Sequence, residues 1–133
     1  MGLQKTSILY LVVGIILIVL VKFIFRSYYH YSPLLDLLLN ISPNLIGSFL
    51  LPFGAYTFFK KYFIFQTRHQ VLLVCILGFC LVVVNELLQL IPFFKRTFDI
   101  LDIVFSVLGI SLGYIVFCKK MQQYPSQNLA KIN

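Results

Sequence analysis

The sequence has little charge of either sign, and it has very few acidic residues. Only 11% of its 133 residues are charged, and only four of them are acidic. Soluble domains carry roughly 25% charged residues. Hydrophobic residues make up 60% of the chain, and the mean hydropathy is +0.95. This composition excludes an ordinary soluble domain and is typical of a protein that buries its apolar surface in lipid.

Residues that bind metals or act as nucleophiles are also scarce. The three cysteines, Cys75, Cys80 and Cys118, lie in or beside apolar segments, and their spacing matches no metal site. We interpret them as small buried hydrophobic side chains. Neither His30 nor His69 has an evident chemical partner, and no serine nucleophile motif is present. The sequence therefore predicts no metal site and no cofactor.

Four long apolar runs each approach or exceed the length that a membrane-spanning helix needs, which is about 20 residues. The predicted spans cover residues 7–25, 43–59, 71–91 and 98–117. The first run is longer than a signal-peptide core and is not followed by a small-residue cleavage site, so we interpret it as a retained helix. The predicted fold is an all-α, four-helix integral membrane bundle, with a four-span domain over 1–120 and a polar, flexible cytoplasmic tail over 121–133.

A short amphipathic segment separates the first two spans. Residues 33–41 are too few to cross the bilayer, and Asp36 and Asn40 lie one turn apart with leucines around them. Ser42 precedes Pro43, which is typical of an N-cap followed by proline at the first helical position. We therefore expect a separate interfacial or re-entrant helix before the second span.

Lysine and arginine are divided unequally between the two sides of this topology. The side that holds both termini carries seven basic residues: Lys5, Lys60, Lys61, Arg68, Lys119, Lys120 and Lys131. The other side carries four: Lys22, Arg26, Lys95 and Arg96. The positive-inside rule then predicts that both termini are cytoplasmic. Topology explains the net charge of +7, so membrane lipids are expected partners and nucleic acid is not.

Three of the four acidic residues fall within residues 85–102, around the loop that joins the third and fourth predicted spans. These are Glu86, Asp99 and Asp102, with Arg96 between them. An ionised carboxylate near the bilayer centre costs about 2.5–3.5 kcal/mol, so Glu86 must be protonated, paired or hydrated there. An acid at this depth indicates a functional site; the alternative is that the charges only fix the register of the helices.

Helical spacing predicts which side chains share this region. One face of the third span holds Cys75, Gly78 or Phe79, Val82, Glu86 and Gln89. One face of the fourth holds Asp99, Asp102, Ser106, Gly109 and Gly113. A stripe on the second holds Asn44, Gly47, Ser48, Leu51 and Ala55, beside Pro52, which we expect to kink or unwind the helix. Counting from a turn near 94–95 puts Glu86 level with Asp102. The pair Gly109 and Gly113, four residues apart, predicts close approach by another helix.

These residues resemble the motifs of the VanZ-like family of small bacterial membrane proteins. The family's Glu-x-x-Gln matches Glu86 and Gln89, and its Arg-x-x-Asp-x-x-Asp matches Arg96, Asp99 and Asp102. An upstream Asn-Leu-Ile-Gly and Pro-x-Gly match residues 44–47 and 52–54. Ser106 stands where the family has asparagine. The family is named for a protein associated with resistance to teicoplanin, a lipoglycopeptide, so the resemblance implies a role in the bacterial cell envelope but no known reaction.

Three functions are compatible with an outward-facing polar pocket. The first is binding of a lipid-linked cell-wall precursor or a lipoglycopeptide by an inner-membrane protein. The residues expected to line that site are Glu86, Gln89, Arg96, Asp99, Asp102, Asn44, Ser48 and Ser106, with Asp36 at its edge. The second is a membrane enzyme that uses Glu86 and Asp102 as acid and base. The third is a proton-linked transporter that titrates Glu86, for which a homo-oligomer or another membrane protein would be needed.

Overall fold

Four helices make up almost all of the chain that the structure describes. The structure is a computed structural model that describes residues 2–25, 32–62, 65, 67–88 and 99–124. The helices are α1 (Leu3–Val19), continued by a π-helical segment (Leu20–Phe25), α2 (Pro33–Phe59), α3 (Arg68–Leu88) and α4 (Ile100–Gln123). All four are long and apolar enough to cross a membrane. The predicted all-α architecture with four candidate spans is confirmed.

The prediction of a separate short helix over residues 33–41 is wrong. These residues form the first turns of α2, which runs for 27 residues from Pro33 to Phe59. At 1.5 Å per residue, such a helix is about 40 Å long, which exceeds the roughly 30 Å hydrocarbon thickness. The exposed Asp36 and Asn40 at its beginning can therefore reach the headgroup region without a helix of their own.

The helix continues because Ser42 compensates for Pro43. A proline has no N–H, so the carbonyl one turn earlier, at Leu39, loses its helical donor. The Ser42 hydroxyl donates to that carbonyl at 3.3 Å and to the Leu38 carbonyl at 2.8 Å. Ser42 is thus an interior helix residue and not the predicted N-cap. Pro52 also lies inside α2, so the helix does not unwind there, and a kink, the other predicted outcome, stays a prediction.

The α2 and α4 helices approach each other closely at two glycines of α4. A β-carbon added at Gly109 would overlap the carbonyl oxygen of Leu45 and would lie 3.0 Å from the β-carbon of Ser48. A β-carbon added at Gly113 would overlap the carbonyl oxygen of Phe49. The predicted close approach at the two glycines is confirmed, and its partner is the backbone of α2.

A cluster of aromatic rings fills the bundle near the end of α2. Phe53 and Phe117 are fully buried and meet edge to face with ring centroids 5.4 Å apart. Tyr10 of α1 stacks on Phe53 at 4.6 Å, and Tyr56 meets Phe65 edge to face at 5.4 Å. Such pairs contribute about 0.5–1.5 kcal/mol each beyond the burial of their surface, so this end of the bundle is its packed core.

The ends of the first and last helices, α1 and α4, differ from the predicted bounds. α1 begins at Leu3, one turn before the predicted start, and α4 continues to Gln123. Residues 121–123, which were assigned to the flexible tail, are therefore helical. The rest of that tail from 125 onward lies outside the described residues, as do residues 89–91 at the predicted end of the third span.

Candidate functional site

A groove of about 620 Å³ lies between α2 and α3, with α4 behind it. Its walls are the facing surfaces of the two helices and the segment that joins them. The lining residues are Pro43, Asn44, Gly47, Ser48, Leu51, Ala55, Phe59, Phe65, Val74, Leu77, Gly78, Leu81, Val82, Asn85, Glu86 and Ser106. Together these residues form the α2–α3 groove.

One end of the groove is polar. Asn44 and Ser48 reach it from α2, Asn85 and Glu86 from α3, and Ser106 from α4. Glu86 is 5% exposed and Ser106 is 2% exposed. Together these side chains offer carboxylate, amide and hydroxyl groups, so the polar end can accept and donate hydrogen bonds.

The remainder of the groove is apolar. Aliphatic side chains such as Leu51, Leu77 and Leu81 line its length, and Phe59 and Phe65 lie at its far end. At 1.5 Å per residue, Asn44 and Phe59 are about 22 Å apart along α2. The groove therefore has the polarity pattern of a lipid molecule, with a polar end and a long hydrocarbon part.

Glu86 is the one formally charged side chain among the described lining residues. It lies in the last turn of α3, within the length that is apolar enough to span a membrane. A carboxylate buried at this position costs free energy unless polar groups surround it. The amides and hydroxyls at the polar end are the groups of the groove that can meet this need.

The predicted stripe on α2 faces the groove. Asn44, Gly47, Ser48, Leu51 and Ala55 all line it, so their shared helix face is confirmed. A β-carbon added at Gly47 would have no atom within 4 Å. Position 47 therefore opens onto empty space in the groove and not onto a neighbouring helix.

The predicted stripe on α3 is divided between two grooves. Gly78, Val82 and Glu86 line the groove described above. Cys75 and Phe79 line a second, apolar groove of about 430 Å³ between α3 and α4. The face of α3 that was predicted to enclose a polar hairpin with α4 thus borders both grooves, and Glu86 lines the one between α2 and α3.

Asp99 and Asp102 have a different position from Glu86. Asp99 is the N-cap of α4, and its Oδ1 accepts a hydrogen bond of 2.9 Å from the Leu101 backbone N–H. Asp102 lies in the first turn of α4, where a negative charge interacts favourably with the helix dipole. Neither aspartate is among the groove residues. Both lie at the start of α4, where a carboxylate stabilises the helix N-terminus.

Ser106, which follows Asp102 by one turn on the same face, is the α4 residue that lines the groove together with Glu86. The predicted level of Glu86 with Asp102 stays a prediction. Gln89 and Arg96 lie outside the described residues, and Asp36 is exposed in the first turn of α2.

Sequence reasoning missed several groove residues, and Asn85 and Phe65 show two different reasons. Asn85 is a polar residue in an otherwise apolar run, and its position beside Glu86 could have identified it. Phe65, which is 5% exposed, belongs to the segment between α2 and α3, where helical periodicity gives no prediction. Within the described residues, no group of three or more His, Cys, Asp or Glu side chains could hold a metal ion.

Comparisons with protein-family models, curated proteins and solved structures find no match for this chain. The resemblance to the VanZ-like family therefore depends on the motif residues alone and stays a prediction.

Proposed function

We propose that this chain is a bacterial inner-membrane protein of the VanZ-like type that binds a lipid-linked precursor or a lipoglycopeptide in the α2–α3 groove. Binding there would give the protein a cell-envelope role such as low-level resistance to teicoplanin. The observation that carries the proposal is the groove itself, which is polar where Glu86 is buried and apolar along the rest of its length.

The distribution of charge at the two ends of the groove favours this role. Lys60 follows α2 and Arg68 begins α3 at the apolar end, whereas Asp36 and Asp99 begin helices at the opposite end. Under the positive-inside rule, the end with the basic residues and both termini is cytoplasmic. The polar end of the groove then opens toward the outer face of the membrane, where a lipoglycopeptide acts.

Binding fits the groove better than acid–base catalysis does. An acid and a base must both reach the reacting group within hydrogen-bond distance. Of the two carboxylates considered for this chemistry, Glu86 lines the groove and Asp102 does not. The apolar length of the groove also suits recognition of a hydrocarbon chain more than reaction chemistry, because aliphatic side chains contribute packing contacts and no reactive groups.

The test is the teicoplanin susceptibility of a sensitive bacterium that expresses the chain. Wild type is compared with Glu86→Gln, which keeps the side-chain volume but removes the charge, and with Gly54→Ala. Gly54 lies on α2 but outside the groove, and a β-carbon there would make an ordinary contact of 3.6 Å with Leu11. Membrane abundance of all three proteins is matched by immunoblot.

We expect wild type and Gly54→Ala to protect the cells and Glu86→Gln to lose protection. Equal protection by Glu86→Gln would mean that the buried carboxylate serves only the packing of α3. Absence of protection by the wild type would reject the resistance role.

A further inference from the structure

We infer that the second groove, between α3 and α4, holds an acyl chain of an anionic phospholipid whose phosphate is bound by Arg68 and Lys119. This α3–α4 groove has a volume of about 430 Å³ and lies between residues 72–79 of α3 and 107–115 of α4. It shares no lining residue with the α2–α3 groove. Its occupant is therefore independent of the ligand proposed above.

The α3–α4 groove opens toward the outside of the bundle, where lipid lies. Leu72 and Ile76 on its α3 wall are 39% and 49% exposed, and Ile115 on its α4 wall is 49% exposed. The buried side chains of Cys75 and Ile110 close it toward the core. Residues 107–115 extend for about 12 Å along α4. An acyl chain can therefore enter the groove from the side and lie along it while the head group stays outside.

Two basic residues flank one end of this groove, one from each helix. Arg68 precedes Leu72 by one helical turn and continues the face of α3 that lines the groove. Lys119 follows Ile115 by one turn and continues the groove face of α4. Both basic side chains are exposed. Arg68 is also close enough to α4 for its charge to act on Tyr114, which lines the groove.

The acidic side chains of the protein lie away from this end of the bundle. All four are within the described residues: Asp36, Asp99 and Asp102 lie at helix starts at the opposite end, and Glu86 lies in the last turn of α3. The first turn of α3 contains Arg68 and no acidic residue. A cation is unfavourable there, because a helix N-terminus carries a positive partial charge. An anion beside Arg68 would relieve this repulsion.

The two cations lie at the depth of lipid head groups. Arg68 is ten residues from the middle of the 21-residue α3, which is about 15 Å along the axis and half of the roughly 30 Å hydrocarbon thickness. A lysine side chain can extend its ammonium group to the same level from Lys119. Under the positive-inside rule this end is cytoplasmic, and basic pockets between helices on that side bind acidic lipid head groups.

The test is photolabelling of the full chain in phosphatidylcholine nanodiscs. The two probes are phosphatidylglycerol and phosphatidylcholine, which carry the same diazirine-bearing acyl chains and differ only in head group. Labelled residues are mapped by peptide mass spectrometry. We expect the phosphatidylglycerol probe to label groove residues such as Ile76 and Phe79 about tenfold or more above the phosphatidylcholine probe. We expect both probes to label the exposed Ile15 and Ile16 of α1 equally.

Matched charge variants separate a binding site from a diffuse positive surface. Loss of either cation, in Arg68→Ala or Lys119→Ala, should weaken groove labelling by phosphatidylglycerol about fivefold, equivalent to about 1 kcal/mol. The exchange variant Arg68→Lys/Lys119→Arg keeps both charges and should retain most of the labelling. Lys60→Ala/Lys61→Ala removes two exposed cations from the same end of the bundle, beside α2, and should leave groove labelling unchanged.

A second pair of variants tests the groove itself. Ser111 is exposed and lines the groove, so Ser111→Phe should fill it and remove the labelling of Ile76 and Phe79. Leu112→Phe adds the same ring at the next position of α4, outside the groove, and should have no effect. Melting temperatures in nanodiscs show whether each variant is folded.

Four results would overturn the inference. Equal labelling of the groove by the two probes on the wild type, which needs no variant, would contradict the choice of an anionic head group. Groove labelling that survives the loss of both Arg68 and Lys119 would do the same. An equal loss of labelling in Lys60→Ala/Lys61→Ala would show diffuse attraction to the surface. A dimer that Ser111→Phe dissociates, detected by mass photometry, would assign the groove to a second copy of the chain.

Discussion

The two flanks of α2 contrast in how they meet their neighbours. On the flank toward α4, Gly109 and Gly113 bring the two backbones so close that no β-carbon fits at either position. On the flank toward α3, Gly47 faces open space, and a groove of about 620 Å³ remains. Gly109 and Gly113 thus allow backbone contact on the flank toward α4, whereas Gly47 leaves space on the flank toward α3. The α3 flank is therefore the more open of the two.

The largest expected effect comes from a leucine at position 113, where α4 packs against α2. Gly113→Leu should destabilise the protein by about 3 kcal/mol or more, because the new side chain would overlap the backbone of Phe49. Gly47→Leu, the same substitution on the flank of α2 that faces α3, should leave stability unchanged. Thermal unfolding of both variants in nanodiscs, followed by circular dichroism, measures the difference. Equal melting temperatures would contradict the contrast between the flanks.

Glu86→Gln should weaken binding in the groove. Hydrogen bonds to a charged group contribute about 1.5–3 kcal/mol, so the affinity for teicoplanin should fall by roughly tenfold to a hundredfold. Loss of a buried charge that interacts with other groups also costs stability, so the melting temperature is measured beside the affinity. Titration of teicoplanin into the chain in nanodiscs gives the affinity. A large drop in melting temperature with unchanged affinity would assign Glu86 a packing role.

Asp99→Ala should show a smaller effect that is confined to α4. Loss of the cap that accepts from Leu101 should cost about 1 kcal/mol of stability. Asp99→Ser retains a capping oxygen and should recover most of this loss. Hydrogen exchange of the first turn of α4 is the measurement. Equal exchange in wild type and Asp99→Ala would show that the cap contributes nothing to helix stability.

The smallest expected effect is at Ser42. Ser42→Ala removes the hydroxyl that donates to the Leu38 and Leu39 carbonyls before Pro43. The expected cost is about 0.5–1.5 kcal/mol, the net contribution of one hydrogen bond. Faster hydrogen exchange in residues 38–42 of Ser42→Ala, compared with wild type, would report local weakening of α2. Unchanged exchange would mean that the helix tolerates Pro43 without this donor.

The spans could be predicted from sequence because each is a long apolar run with few charges. The continuous α2 could not, because Pro43 normally marks a helix start and its effect here depends on one serine hydroxyl. The stripe on α2 was predicted correctly, since helical spacing alone places Asn44, Gly47 and Ser48 on one face. Helical spacing shows which residues share a face but not what lies opposite that face. It therefore could not show that this face of α2 borders a cavity.

The positions of the acidic residues show a second limit of sequence reasoning. Glu86, Asp99 and Asp102 are close in the chain and were assigned to one cluster. The structure gives Glu86 to the groove and gives Asp99 to the start of α4, because a helix N-terminus binds a carboxylate locally. Proximity in sequence therefore did not distinguish a helix-capping carboxylate from one that lines the groove.

The most direct test of the account is teicoplanin protection by Gly47→Phe, measured together with its melting temperature. The account predicts that the variant melts like the wild type, because position 47 opens onto empty space, and that it no longer protects cells that the wild type protects. Full protection by a folded Gly47→Phe protein would show that the open flank of α2 is not the binding site.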